Sequence, residues 1–225
     1  MNNKITIGLP SKGRLKDKSI SFLEEKNFII SQNNKERNYF ATIKNKPHVK
    51  IIYLHAKEII QRLADGTIDV GISGLDLLNE SKKNLQDKII IKSKLNFGKA
   101  DLVVAVPDDW IDVQTIADLE EISFDIRYKR NTRLRVATKY PNLTNDFFLS
   151  KGVTQYKLIP SLGATETYPF IGSSEIITDI TSTGKTLNDN NLRILKDGQI
   201  LSSTACLFVA KKKAAKLQPF LNSLG

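Results

Sequence analysis

With 225 residues, 40% hydrophobic and 26% charged, the chain has an ordinary globular composition and enough length for one large domain or two small lobes. Its 34 Lys and Arg against 24 Asp and Glu give a net charge of +10, but the lysines are scattered and no nucleic-acid module accompanies them, which favours small polyanions as partners over nucleic acid. One cysteine, Cys206, excludes an internal disulfide and a cysteine-based metal cluster, and no apolar run approaches the length of a membrane span.

Residues 5–9 read as a first strand with no apolar leader ahead of it, so a cytoplasmic location is expected. That strand runs into Pro10, Ser11, Lys12, Gly13 and Arg14, then into a helix over 16–26 with Ile20 and Leu23 on one face. Glycine lets backbone approach a ligand, and Lys12 and Arg14 add charge where helix N–H groups already favour an anion; a basic cap would use the same residues. Arg37, in a polar segment, is a weaker anion candidate. A strand over 49–54 and a helix over 56–65 follow, with His48 and His55 in ordinary polar roles beside that strand. The strand over 68–72 opens through Ser73 and Gly74 into a short helix over 75–79, where Asp76 complements the helix dipole.

After a crossing near 96–101, a second block begins with a strand over 102–106, a helix over 115–119 and a strand over 134–137. The basic cluster over 127–135 reads as a solvated loop entering that strand. Lys139 follows as a possible point charge for a pyrophosphate or triphosphate, ahead of a helix over 143–151. Strands over 156–159 and 176–180 complete the block; a strand over 205–210, with Cys206 in the core, and a helix over 213–224 close the chain. Apolar runs alternating with amphipathic stretches indicate α/β architecture. Two crossings imply two lobes, 1–98 with 189–225 and 99–188, with a ligand cleft at the carboxyl ends of the strands.

The most informative stretch runs from Glu166 to Leu187. The strand acid Asp179 gives way to Thr181, Ser182, Thr183, Gly184, Lys185 and Thr186. Gly184-Lys185-Thr186 looks like the end of a Walker A loop, but Asp179 stands where that motif needs its first glycine, and a carboxylate there would repel a triphosphate. Backbone N–H groups, hydroxyls and a helix N-terminus could hold a phosphate while the acids hold ribose hydroxyls; a capped strand-to-helix turn fits the same residues equally well. No Ser-His-Asp set, glycosidase carboxylate pair or zinc spacing is visible, so the chemistry rests on positioning and electrostatics.

The run from Glu166 to Leu187 resembles the signature of the ATP phosphoribosyltransferase catalytic subunit. Lys12-Gly13-Arg14 and the segments 69–74, 135–141 and 161–166 resemble family segments in the expected order, so the resemblance covers nearly the whole chain. It implies a two-lobed, periplasmic-binding-protein-like (type II) α/β fold with the active site in the interlobe cleft. It also implies transfer of phosphoribose from phosphoribosyl pyrophosphate to N1 of ATP with substrate-bound Mg²⁺, the first step of histidine biosynthesis. Carried over residue by residue, Thr181, Ser182, Thr183, Gly184, Lys185 and Thr186 would bind the 5-phosphate, with Asp179 and Glu166 on the ribose. Lys12, Gly13, Arg14, Arg37, Ser73, Gly74 and Lys139 would serve ATP or the pyrophosphate, Arg14 with a catalytic share. The chain ends soon after the 205–210 strand and so resembles the short form, which works with a histidyl-tRNA-synthetase-like regulatory subunit; a homodimer is expected as well. The competing expectation is a small-anion solute-binding protein on the same scaffold.

Overall fold

The structure, a computed structural model, describes residues 4–31 and 39–224; Arg37 lies outside them. The chain divides into two compact units, Met1–Gly98 with Thr204–Gly225, and Lys99–Ser203.

The first unit holds β1 (Ile5–Pro10), α1 (Gly13–Glu25), β2 (Ile30–Ser31), β3 (Phe40–Ile43), β4 (Val49–Leu54), α2 (Ala56–Asp65), β5 (Val70–Gly74), α3 (Leu75–Glu80), α4 (Lys83–Gln86) and β6 (Ile89–Lys94). The second contributes β7 (Ala100–Pro107), α5 (Ile116–Arg130), β8 (Leu134–Thr138), α6 (Pro141–Ser150), β9 (Tyr156–Pro160), β10 (Ile176–Thr181), α7 (Lys185–Asp189) and β11 (Leu192–Ser203). The chain then returns to the first unit with β12 (Ala205–Ala210) and α8 (Ala214–Asn222).

Among the described residues the first sheet has the order β2-β3-β4-β1-β5-β12-β6, with β1 parallel to both β4 and β5 and β12 antiparallel to β5 and β6. Its central strands are buried on both faces, which is why they read as unbroken apolar runs. In β12, Ala205, Leu207 and Val209 pack with Leu23 of α1 and Leu217 and Phe220 of α8, while Cys206, Phe208 and Ala210 pack with Ile59, Ile60 and Leu63 of α2. The α2 layer lies close enough that a Cβ on Gly71 would stand 2.6 Å from Ile59 Cγ2, so only glycine fits there. The returning segment is pinned by Lys213, whose Nζ lies 2.6 Å from buried Asp69 and donates to the Gly66 carbonyl. Asp69 also accepts the Thr6 N–H at 2.6 Å.

The second sheet has the order β11-β7-β10-β8-β9, with β8 parallel to β9 and β10, and β7 antiparallel to β10 and β11. Consecutive residues again face opposite ways. Val104, Val136 and Ile176 join Leu119 and Ile126 of α5 and Phe148 of α6; Val103, Ala105, Ala137 and Ile177 join Leu187 of α7 and Leu192.

Two sequence expectations change. Residues 189–203, expected with the first lobe, belong to the second unit, where 192–203 form β11 on the edge of the sheet because β7 offers them a free antiparallel edge. Helix α5 continues to Arg130, so the first half of the basic cluster over 127–135 is helical instead of a loop. Its buried stripe of Ile116, Leu119, Ser123 and Ile126 contains a serine, and Phe124 and Tyr128 lie exposed, which hid the helical period. Strands β3 and β6 were not expected: β3 alternates exposed and buried residues over only four positions, and in β6 the short run Ile89–Ile91 leads into Lys92, Ser93 and Lys94, with Ile90 and Ile91 exposed.

Candidate functional site

In the second unit β8, β9 and β10 run parallel, so their carboxyl ends meet at one edge of the sheet, where an open α/β sheet presents its ligand loops. Alternation then sorts the side chains. Asp179 and Lys139 share the parity of Ile177 and Ala137, the face that carries α7. Their side chains meet there, Lys139 Nζ to Asp179 Oδ2 at 3.4 Å, with the carboxylate 13% exposed and the ammonium 36%. Asp179 Oδ1 accepts the Ile180 N–H at 2.8 Å. Lys139, expected with the ATP set, is therefore a neighbour of the expected ribose acid.

The loop after β10 is shaped by its own hydroxyls. Thr181 Oγ1 accepts the Gly184 N–H at 2.9 Å, and Thr183 Oγ1 accepts the Lys185 N–H at 3.4 Å. Gly184 sits at φ +73°, a left-handed conformation that favours glycine, and a Cβ there would meet nothing within 4 Å. Ser182, Thr183, Lys185 and Thr186 are exposed, and Lys185 reaches Asp189 at 3.4 Å with 79% of its side chain in solvent. Helix α7 has five residues, so its dipole adds little, and any anion must be held by the loop's own donors. What fixes the loop is Leu187, buried against Val103, Ala137 and Ile177 and worth about 2 kcal/mol of apolar transfer.

Glu166 lies in a short 3-10 turn, Thr165–Thr167, that follows β9 and packs against β10. The approach to it is ordered by the Ser161 N–H donating to the Thr138 carbonyl at 2.9 Å and by a 2.9 Å contact between the Ser161 and Thr165 hydroxyls. Glu166 is partly buried. Three strand-end segments thus supply the acids, the lysine and the hydroxyl loop to one edge.

Directly behind Lys139 and Asp179 lie three residues that sequence reasoning missed. Thr138 and Thr178 are register partners on β8 and β10, and their hydroxyls stand 2.6 Å apart. Thr144 of α6 reaches Thr178 at 2.7 Å and Thr138 at 3.3 Å, and the Tyr140 N–H donates to Thr138 Oγ1. All three threonines are buried. The sequence signal was available: a threonine immediately precedes both Lys139 and Asp179.

In the first unit, the carboxyl ends of β1, β4 and β5 also share an edge. Lys12, Gly13 and Arg14 are exposed in the turn from β1 to α1, with Gly13 at φ +73°. His55 follows β4 and caps α2, its Nδ1 accepting the Lys57 N–H at 3.3 Å, which is the ordinary polar role expected of it. Near the end of β5, Ser73 is fully buried and its hydroxyl donates to the Ala56 carbonyl at 2.8 Å, which ties the strand end to the start of α2. Gly74 caps α3 and lies against the Asp76 carboxylate, leaving no room for a Cβ.

Among the described residues no three His, Cys, Asp or Glu side chains form a metal-binding group, and no helix is long and apolar enough to cross a membrane. Asp179 and Glu166 supply hard carboxylate oxygens, a donor type suited to a Mg²⁺ ion that keeps most of its ligands from phosphate and water.

Residues 55–224 match the family model described as ATP phosphoribosyltransferase. An ATP phosphoribosyltransferase from Chelativorans sp. (strain BNC1) is 48% identical over 210 residues, covering 93% of this chain and 91% of that protein. Among solved structures, the ATP phosphoribosyl transferase (HisG:HisZ) complex from Thermotoga maritima superposes with a TM-score of 0.74 at 26% identity, covering 98% of this chain and 96% of the other. The arginine-bound form of a truncated ArgBP from T. maritima gives a TM-score of 0.55 at 16% identity over 99% of this chain and 94% of the other, a likeness of fold alone. On the strength of the family match, the close relative and the strand-end loops that carry the signature residues, the chain belongs to the ATP phosphoribosyltransferase family.

Proposed function

We propose that this chain transfers phosphoribose from phosphoribosyl pyrophosphate to N1 of ATP, releasing pyrophosphate and opening histidine biosynthesis. The observation that carries this reading is the edge of the second sheet, where Asp179, Lys139 and the hydroxyl loop from Thr181 to Thr186 converge in a chain 48% identical to a named ATP phosphoribosyltransferase.

The two ends of a phosphoribosyl group fit that edge. Its 5-phosphate dianion suits the exposed hydroxyls of Ser182, Thr183 and Thr186, the Lys185 ammonium and the backbone around Gly184. The 2- and 3-hydroxyls are donors and suit the Asp179 carboxylate, with Glu166 on the turn packed against β10 as a second candidate acceptor; Thr181 acts mainly by holding the loop closed. Anomeric inversion builds positive charge on the sugar as the pyrophosphate departs. A carboxylate at the ribose stabilises that charge, and Lys139 is placed to follow the leaving oxygens. Mg²⁺ carried by the pyrophosphate would neutralise its charge, with Asp179 and Glu166 as the nearby carboxylates. Lys12, Gly13 and Arg14, exposed on the carboxyl edge of the first sheet, would serve ATP phosphates, with Arg14 as the guanidinium that grips them.

A homodimer and a histidyl-tRNA-synthetase-like regulatory partner belong to the same proposal; the T. maritima relative is described as a HisG:HisZ complex. The solute-binding alternative rests only on shared fold. The test incubates the protein with ATP, phosphoribosyl pyrophosphate and Mg²⁺, with and without the candidate regulatory subunit, and follows the absorbance of the N1-substituted adenine. Product in either arm is the expected result, and none in both arms overturns the reading.

A further inference from the structure

Resting on the phosphoribosyl reading of this edge, we propose that Thr138, Thr144 and Thr178 are positioning residues that set the offset between Lys139 and Asp179. The three hydroxyls form a closed ring. With Thr178 donating to Thr138 at 2.6 Å, Thr144 donates to Thr178 at 2.7 Å and Thr138 completes the circuit to Thr144 at 3.3 Å. Each hydroxyl then gives one bond and accepts one, and Thr138 accepts a second from the Tyr140 N–H at 2.9 Å. No solvent competes, because Thr138 is 2% exposed and the other two are 0%.

The ring sits where it can govern the site. Thr138 and Thr178 are register partners at the last rung of the β8–β10 ladder. Beyond that rung backbone pairing no longer fixes the separation of the chains, and the next residue on each side is Lys139 or Asp179. The ring and the ion pair project to opposite faces of the sheet, so the threonines do not touch the ribose edge and act only through the backbone they hold. Thr144 ties the same rung to the first turn of α6, where its own N–H bonds the Tyr140 carbonyl at 3.0 Å. One buried ring thereby ties the end of β8 to β10 and to a helix start. Ordinary core packing would place valine at these positions; three converging hydroxyls impose a directional geometry that methyl groups do not.

The experiment compares Thr178→Val, which keeps the shape and removes the hydroxyl, with Thr178→Ser, which keeps the hydroxyl. Thr144→Val, outside the sheet ladder, serves if the first valine variant does not fold. The expected result is a loss of roughly ten- to a hundredfold in kcat/KM for phosphoribosyl pyrophosphate in the valine variant, with serine within about threefold of the parent. In a Lys139→Met background the valine substitution should add less than about twofold, because the pair it positions is already broken. A valine variant with parental kcat/KM, a serine variant as impaired as valine, or full additivity with Lys139→Met each overturns the assignment. A parent chain without turnover would instead bring down the phosphoribosyl reading itself, and this inference with it.

Discussion

Asp179→Asn isolates charge from shape at the ribose edge. Asparagine keeps the side-chain oxygen that accepts the Ile180 N–H at 2.8 Å, and it replaces the oxygen that faces Lys139 at 3.4 Å by an amide. The stability cost is therefore that of one partly exposed ion pair at a long distance, about 0.2–1 kcal/mol, or a fall in Tm of at most roughly 4 °C for a chain of this size. The catalytic cost is larger. Two ribose hydroxyls that donate to a carboxylate contribute about 1.5–3 kcal/mol each, and an amide oxygen retains only part of that. A net loss of about 3 kcal/mol predicts a kcat/KM roughly a hundredfold lower. Initial rates from N1-substituted adenine absorbance, together with urea unfolding of the same preparation, separate the two effects. Turnover within about threefold of the parent, or a stability loss above about 3 kcal/mol, would refute the assignment of Asp179 to the ribose.

Lys185→Ala should raise KM for phosphoribosyl pyrophosphate roughly tenfold and leave kcat within about threefold, because its ion pair with Asp189 is exposed and the ammonium is free to meet a ground-state phosphate; an unchanged KM contradicts that role. The Asp118 carboxyl, which accepts N–H bonds from Gln114 and then Thr115 at the start of α5, is held below the usual carboxylate range. Its contribution is present above the unfolded pKa near 3.9 and is lost as pH falls through the lower folded value. The urea midpoints of the parent and Asp118→Asn should thus differ at pH 7 and draw together as pH falls below the unfolded pKa near 3.9, and a gap that does not change with pH sinks the argument. Cys206 is fully buried and its thiol is pushed up chiefly by burial. An aromatic disulfide reagent should label it only on unfolding in urea, and rapid labelling of the native protein would contradict its place in the core.

The sequence was most legible where local chemistry and tertiary context agree. Strand β4 and helix α2 fall on the expected residues 49–54 and 56–65, because an apolar run and a strong amphipathic period leave no competing assignment. The loop from Thr181 to Thr186 was equally clear, since Asp179, a glycine and clustered hydroxyls define it locally. Tertiary structure decided what depends on partners distant in sequence. Residues 192–203 gained a strand only by meeting the edge of β7, and Lys139 met Asp179, forty positions away, only once β8 and β10 had paired. The loop's anchor, Leu187, and the ring behind the site, Thr138 with Thr144 and Thr178, share this origin. Periodicity reports which face a residue takes, but register decides which residue stands opposite, and register exists only once the strands have paired.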